Sequence, residues 1–226
     1  SLKWSGFATV AGPDAAGPFT LAAGDTTGGG GGSVRVRRSD TGVEIDTGKL
    51  KARLTDWGGA LIDSMWVEGR EVVRNARLVC IRQHGPDGAG EESPVREKFL
   101  GRTTRVTVEQ AGPVRAVLKV EGKHQAAVGS REWLPFVVRL YFYAGQESVR
   151  LIHTIIYDGD DQQDFIRGLG LEFGVPLREE MQNRHVRFSG ENGGLWSEPI
   201  QPMVGRGGRI VSHPDGSGNV YPRQLA

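Results

Sequence analysis

The chain has 226 residues, enough for one or two domains whose core needs neither disulfide nor metal. Its 28 Lys and Arg balance 27 Asp and Glu for a net charge of +1, which argues against a strongly basic nucleic-acid-binding domain and against a strongly acidic protein. No apolar run approaches the ~18 residues of a membrane helix, so no membrane partner is expected, and the single cysteine, Cys80, has no partner for an internal disulfide.

The chain opens on a short strand-like segment over 1–10 and a small-residue loop over 11–25. Five consecutive glycines follow at 28–32. Such a run orders poorly and marks a boundary, with 1–33 as a leading segment and 34–226 as the main domain. Neither end carries a leader or a terminating element, and both read as cut from a longer polypeptide.

From 34 onward the β signal is dense. Strands are expected over 34–37, 43–47, 50–54, 61–67 and 78–81, with turns at Thr41-Gly42, Thr47-Gly48, Trp57-Gly58-Gly59 and Glu68-Gly69. A polar loop is expected over 84–97. Longer strands follow over 104–110, 113–123, 134–144 and 148–157, then 169–175 and 186–189. Only 161–166 and 177–182 read as helical, the first capped by Asp161. After Trp196 the chain reads as loop with one strand near 209–212. Regular short strands, then long ones joined by Gly turns, predict an all-β fold, a large antiparallel β-sandwich with a meander. Cys80, in an apolar strand, reads as a small buried residue.

A strand alternates its faces every two residues. Over 134–144, Val138, Leu140 and Phe142 share one face, and Arg139, Tyr141 and Tyr143 the other. Over 113–123, Val114, Ala116, Leu118 and Val120 oppose Arg115, Lys119, Glu121 and Lys123. The apolar faces would pack on a second sheet. The opposite faces combine guanidinium groups, which pair with carboxylates, and tyrosines, which stack and donate hydrogen bonds, a combination suited to an anionic sugar. A solvated face with cross-strand ion pairs is the structural alternative.

The densest polar cluster is Asn183-Arg184-His185-Val186-Arg187, followed by a Gly-rich turn with Glu191 and then Trp196. An imidazole at position 185 suits a base, and the flanking arginines suit a substrate carboxylate. Arg184 in a structural ion pair and His185 at a strand end form the alternative. His153, on a face with Val149, Leu151 and Ile155, reads as a satisfied core histidine. The Asp158–Asp164 turn lacks calcium-loop spacing, and the five histidines lack zinc spacing, so neither metal nor cofactor is expected.

Several segments resemble one family. Ser1-Leu-Lys-Trp-Ser-Gly-Phe-Ala is similar to a motif in the N-terminal RIFT-barrel domain of exo-rhamnogalacturonan-lyase-like proteins. Val43-Glu-Ile-Asp-Thr-Gly resembles the passage toward their central β-sandwich. The stretch from Gly112 to His124, the strand beginning Leu134-Pro-Phe-Val-Val-Arg, the stretch from Gly168 to Pro176, and Asn183-Arg-His-Val-Arg-Phe-Ser-Gly-Glu resemble that sandwich. The resemblance implies a secreted polysaccharide lyase of three parts, with only part of the barrel here and the α/α toroid elsewhere in the polypeptide. It implies β-elimination on an acidic, rhamnogalacturonan-type pectic polysaccharide.

For that chemistry the sequence offers His185 as base, with Tyr143 behind it and Lys123 as a further acid or base. Arg139, Tyr141, Asn183, Arg184, Arg187, Glu191 and Trp196 are the candidate substrate contacts. A non-catalytic carbohydrate-binding sandwich of a larger enzyme is the second reading. A glycoside hydrolase using Glu172 and Glu191 ranks last.

Overall fold

The computed structural model describes residues 9–10, 32–86, 94–180, 183–189 and 193–199. The strand expected over 1–10, the five-glycine run up to 31 and the strand near 209–212 therefore lie outside the described residues, 9 and 10 excepted. The chain divides into two compact units, Ser1–Pro176 and Leu177–Ala226.

In the first unit ten strands form one antiparallel sheet. β1 (Arg35–Ser39), β2 (Gly42–Asp46), β3 (Leu50–Thr55), β4 (Ile62–Val67), β5 (Arg70–His84), β6 (Arg96–Ala111), β7 (Arg115–Ala126), β8 (Glu132–Tyr143) and β9 (Val149–Ile155) pair in chain order. β10 (Asp164–Gly174) returns to pair with β5. β5 makes this possible by its length. Its first half pairs β4, and residues 79–83 pair β6 on one edge and β10 on the other.

The early and late strands face one another. One buried cluster joins Val43, Ile45, Leu50, Leu54, Ile62 and Leu78 of β2–β5 to Val106, Leu118, Val120, Phe136, Leu140 and Phe142 of β6–β8. This is the core of a β-sandwich, and each of these larger side chains contributes roughly 1.5–3 kcal/mol by leaving water. Backbone bonds join the layers at their rims: Val34 N–H donates to the Pro113 carbonyl at 2.7 Å and Gly145 N–H to the Thr47 carbonyl at 2.8 Å. The buried Thr47 hydroxyl adds a bond to the Gln146 carbonyl at 2.8 Å. Gly122 is required by close approach, since a Cβ there would stand 2.1 Å from the Arg102 carbonyl oxygen and 2.5 Å from Cζ of Phe136.

A second cluster, Cys80, Phe99, Trp133 and Leu134, fills the end of the sheet near the β9–β10 connection. Burial pushes the Cys80 thiol up to about 11, as its apolar reading requires. Asp164 and Arg82 form a buried ion pair here, and Arg131 reaches the same carboxylate at 2.7 Å. Leu134 takes a left-handed backbone (φ 54°) held at both ends: its N–H donates to Asp158 at 2.6 Å, and His124 Nδ1–H donates to its carbonyl at 2.7 Å. His153 lies half-buried on the inner face, as its alternation predicts, but its Nε2 has no hydrogen-bond partner among the described residues.

The expected helix over 161–166 is a turn followed by β10, which begins at Asp164. The buried Asp164 carboxylate, bonded to Arg82 and Arg131, fixes the chain as strand there. Residues 177–180 are not helical, and 181–182 lie outside the described residues. The polar loop expected over 84–97 is shorter, because β5 runs to His84 and β6 starts at Arg96. In the second unit β11 (His185–Ser189) pairs antiparallel with β12 (Leu195–Pro199), a strand where loop was expected.

Candidate functional site

The inner face of β6–β8 is spent on the core, so candidate contacts on these strands fall to the outer face. Register lines its residues into rows. One row is Gln110, Val117, Tyr141 and Arg150, and the next is Thr107, Lys119, Arg139 and Ile152. A third is Arg105, Glu121, Val137 and Thr154, while Arg115 stands opposite Tyr143 at the other end. The alternation read in 113–123 and 134–144 holds: Leu118, Val120, Val138, Leu140 and Phe142 are buried, while Lys119, Glu121, Arg139, Tyr141 and Tyr143 are half-buried on the other side. Val117 is also buried, so the outer face has an apolar spot beside Tyr141.

Cations outnumber carboxylates on this face, with Arg105, Arg115, Lys119, Arg139 and Arg150 against Glu109 and Glu121. Arg139 holds Glu109 through two bonds of 2.9 and 3.1 Å, and Lys119 pairs Glu121 at 3.1 Å. The Arg139 guanidinium keeps the Glu109 carboxyl below its ordinary value. Arg105, Arg115 and Arg150 have no carboxylate partner among the described residues. Arg115 Nε–H instead donates to Gln110 Oε1 at 2.8 Å. The Arg115 and Arg150 guanidinium carbons lie 6.0 and 5.6 Å from the Tyr141 ring centroid, within cation–π range. Tyr141, Tyr143, Arg139, Arg115 and Arg150 therefore form one arginine-rich patch with aromatic edges.

Lys123 does not join it. It lies eight positions along β7 from Arg115, about 26 Å along an extended strand. Its ammonium is bonded to Asp158 at 2.7 Å. Burial raises the Asp158 carboxyl, but the Lys123 ammonium and the Leu134 N–H outweigh it and hold the group below its ordinary value. Lys123 thus braces the carboxylate that fixes Leu134.

In the second unit His185 and Arg187 are exposed and share one face of β11, two residues apart. Arg184 is half-buried, and its Nε–H donates to the Glu179 carbonyl at 2.7 Å. Asn183 is exposed, and its backbone N–H donates to the Glu180 carbonyl at 2.8 Å. Trp196 occupies the register position opposite Phe188. Glu191 lies outside the described residues.

Among the described residues no group of three or more His, Cys, Asp or Glu side chains is placed to hold a metal ion. The acidic turn is internally committed: Asp164 binds arginines and the Asp160 N–H, and Asp160 accepts from the Gln162 N–H at 2.8 Å. Glu172, offered for hydrolysis, is gripped by Lys98 at 2.7 Å and Arg77 at 2.6 Å, which pull its carboxyl down to about 2. That group cannot serve as a general acid near neutral pH.

Arg105, Arg115 and Arg150 were not among the candidates chosen from sequence. Arg115 and Arg150 alternate in phase with the apolar residues of their strands, and that signal finds them once β7, β8 and β9 are aligned as neighbours.

Residues 34–224 match the family described as the PcRGLX-like protein central β-sandwich domain. The chain is also 37% identical over 169 residues to YetA of Bacillus subtilis (strain 168), itself described as uncharacterized. That match takes in 75% of this chain and 20% of YetA, so the chain spans about a fifth of that relative's length.

Proposed function

This chain belongs to the PcRGLX-like, rhamnogalacturonan-lyase-like family, and we propose that it is the substrate-contacting sandwich of a polysaccharide lyase that cleaves rhamnogalacturonan-type pectin by β-elimination. The observation that carries this reading is the excess of guanidinium groups around Tyr141 and Tyr143 on the outer face. A uronate must have its carboxylate neutralised before the C5 proton becomes acidic, and planar arginine forks do this well. Arg139, Arg115 and Arg150 are assigned that role, with Tyr141 as the stacking surface.

In the proposed step a base takes the C5 proton. The C5–H electron pair becomes the C4–C5 double bond, and the C4–O bond breaks with its electrons going to the leaving sugar oxygen, which is then protonated. Tyr143, on the same patch, is assigned to take the C5 proton and to return it to the leaving oxygen. An α/α domain of the same polypeptide would complete the cleft, and the setting would be extracellular, where pectin is found.

Binding without catalysis is the second reading. It is favoured by the placement of His124 and His153, whose rings pack with Phe136 on the inner face and away from the patch. Ultraviolet absorbance of unsaturated uronate decides between them. The full-length protein should release it from rhamnogalacturonan, and Tyr143→Phe should lower the rate by at least about a hundredfold. Saccharide binding without unsaturated product would establish the second reading.

A further inference from the structure

We propose that the cleft between the β3–β4 loop and β6 is a separate saccharide subsite, in which Trp57 stacks against a sugar ring and Arg105 receives that ring's carboxylate. This rests on the reading of the chain as a uronate-polysaccharide protein and extends it to a place outside the Tyr141 patch.

Trp57 is 72% exposed, an unusual fate for so large an apolar side chain. Its loop is not loose. Gly58 and Thr103 exchange two backbone bonds of 3.0 and 2.7 Å, and the Asp56 N–H donates to the Thr41 carbonyl at 3.2 Å. Arg38 adds an ion pair to Asp56 at 2.9 Å and a bond to the Val106 carbonyl at 3.3 Å. The indole is therefore presented to water by a fixed backbone, so little freedom would be lost on stacking.

The cleft has a volume of about 480 Å³, and Arg38, Asp56, Trp57, Arg105 and Thr107 are among its lining residues. That is enough for one or two sugar rings. Its two cations differ. Arg38 is committed to Asp56, whereas Arg105 has no carboxylate partner among the described residues. Arg105 also begins the third row of the outer face, two strands, or about 10 Å, from β8. One oligosaccharide can therefore reach both Arg105 and the Tyr141 patch.

A second cleft of about 440 Å³ contains Trp66, but Glu44, Asp46 and Glu68 outnumber Lys49 and Lys51 around it. A uronate is repelled there and favoured at Trp57.

The test is calorimetric titration of the chain with a rhamnogalacturonan oligosaccharide, comparing wild type, Trp57→Ala, Arg105→Gln, Trp66→Ala and Arg139→Gln, each checked for an unchanged melting temperature. Trp57→Ala and Arg105→Gln should each weaken binding roughly tenfold, and Trp66→Ala should match wild type. In the full-length protein Trp57→Ala should raise KM and leave kcat unchanged, the signature of lost uniform binding. Wild-type affinity in Trp57→Ala and Arg105→Gln, with loss in Arg139→Gln, would overturn the subsite and leave the proposed function standing. Loss in Trp66→Ala alone would move stacking to the other cleft and likewise overturn it. No binding by wild type would overturn both.

Discussion

Arg139 grips Glu109 through two parallel hydrogen bonds, 2.9 and 3.1 Å long, on the outer face of the sheet. The pair has the geometry a guanidinium would use for a uronate carboxylate, so under the proposed function Glu109 stands where that carboxylate would go. A bound uronate must displace it. Glu109→Gln should therefore tighten binding of an oligogalacturonate, by no more than about fivefold because an exposed pair is weak. Arg139→Gln should weaken it roughly tenfold. Titration of both variants checks the sign.

Asp164 predicts acid sensitivity. Burial raises its carboxyl, but the Asp160 N–H, Arg131 and Arg82 pull it down further, to about 2 against an ordinary 3.8. A lowered carboxyl stabilises the fold above its unfolded value and loses that contribution as pH falls toward the folded value. About 2 kcal/mol should disappear between roughly pH 4 and pH 2. Asp164→Asn removes the charge shared by Arg131 and Arg82, leaving Arg82, with only 7% of its side chain exposed, on its 3.0 Å pair with Glu97, and should cost about 3 kcal/mol at neutral pH. Urea unfolding across the pH range measures both.

The histidine pair predicts a second, milder dependence. Burial lowers the affinity of His124 and His153 for a proton, and His124 opposes charge on its neighbour, whose ring centroid is 6.3 Å away. Well above 6.5, the ordinary histidine value, both are neutral in the folded and unfolded states, so neither contributes to the pH dependence. Below it the unfolded chain takes the protons first, and stability falls. The melting temperature should drop from about pH 7 to about pH 5, and His153→Gln should flatten the slope.

Gly122 predicts a packing defect. A methyl group there meets the Arg102 carbonyl oxygen and the Phe136 ring, neither of which can withdraw freely. Gly122→Ala should cost about 1–3 kcal/mol. Gly59, where a Cβ meets nothing within 4 Å, should accept alanine with little change. Thermal unfolding of the two variants separates them.

The faces of β7 and β8 were legible because one side of each strand is buried, so parity alone sorts Leu118 from Lys119 and Leu140 from Arg139. Parity does not report distance along a strand, so Lys123 and Tyr143 both fall on the outer face yet stand at opposite ends. β5 was only partly read, because Arg74, Arg77 and Arg82 break its apolar pattern. Pairing with β4, β6 and β10 makes it strand along its whole length. The turn before β10 was read as helix for the same reason, since what fixes Asp164 is Arg82, 82 positions earlier. Arg105 and Trp57 reach one cleft only through the Gly58–Thr103 bridge, a non-local pairing that no local motif announces.

The claim that the outer face binds a polysaccharide through its carboxylates is tested most directly by one calorimetric comparison. The chain is titrated with a rhamnogalacturonan oligosaccharide, and with the same oligosaccharide after its carboxyl groups have been reduced to alcohols. Measurable binding that weakens with salt and is lost on reduction is the predicted result. Equal affinity for the two ligands would contradict it.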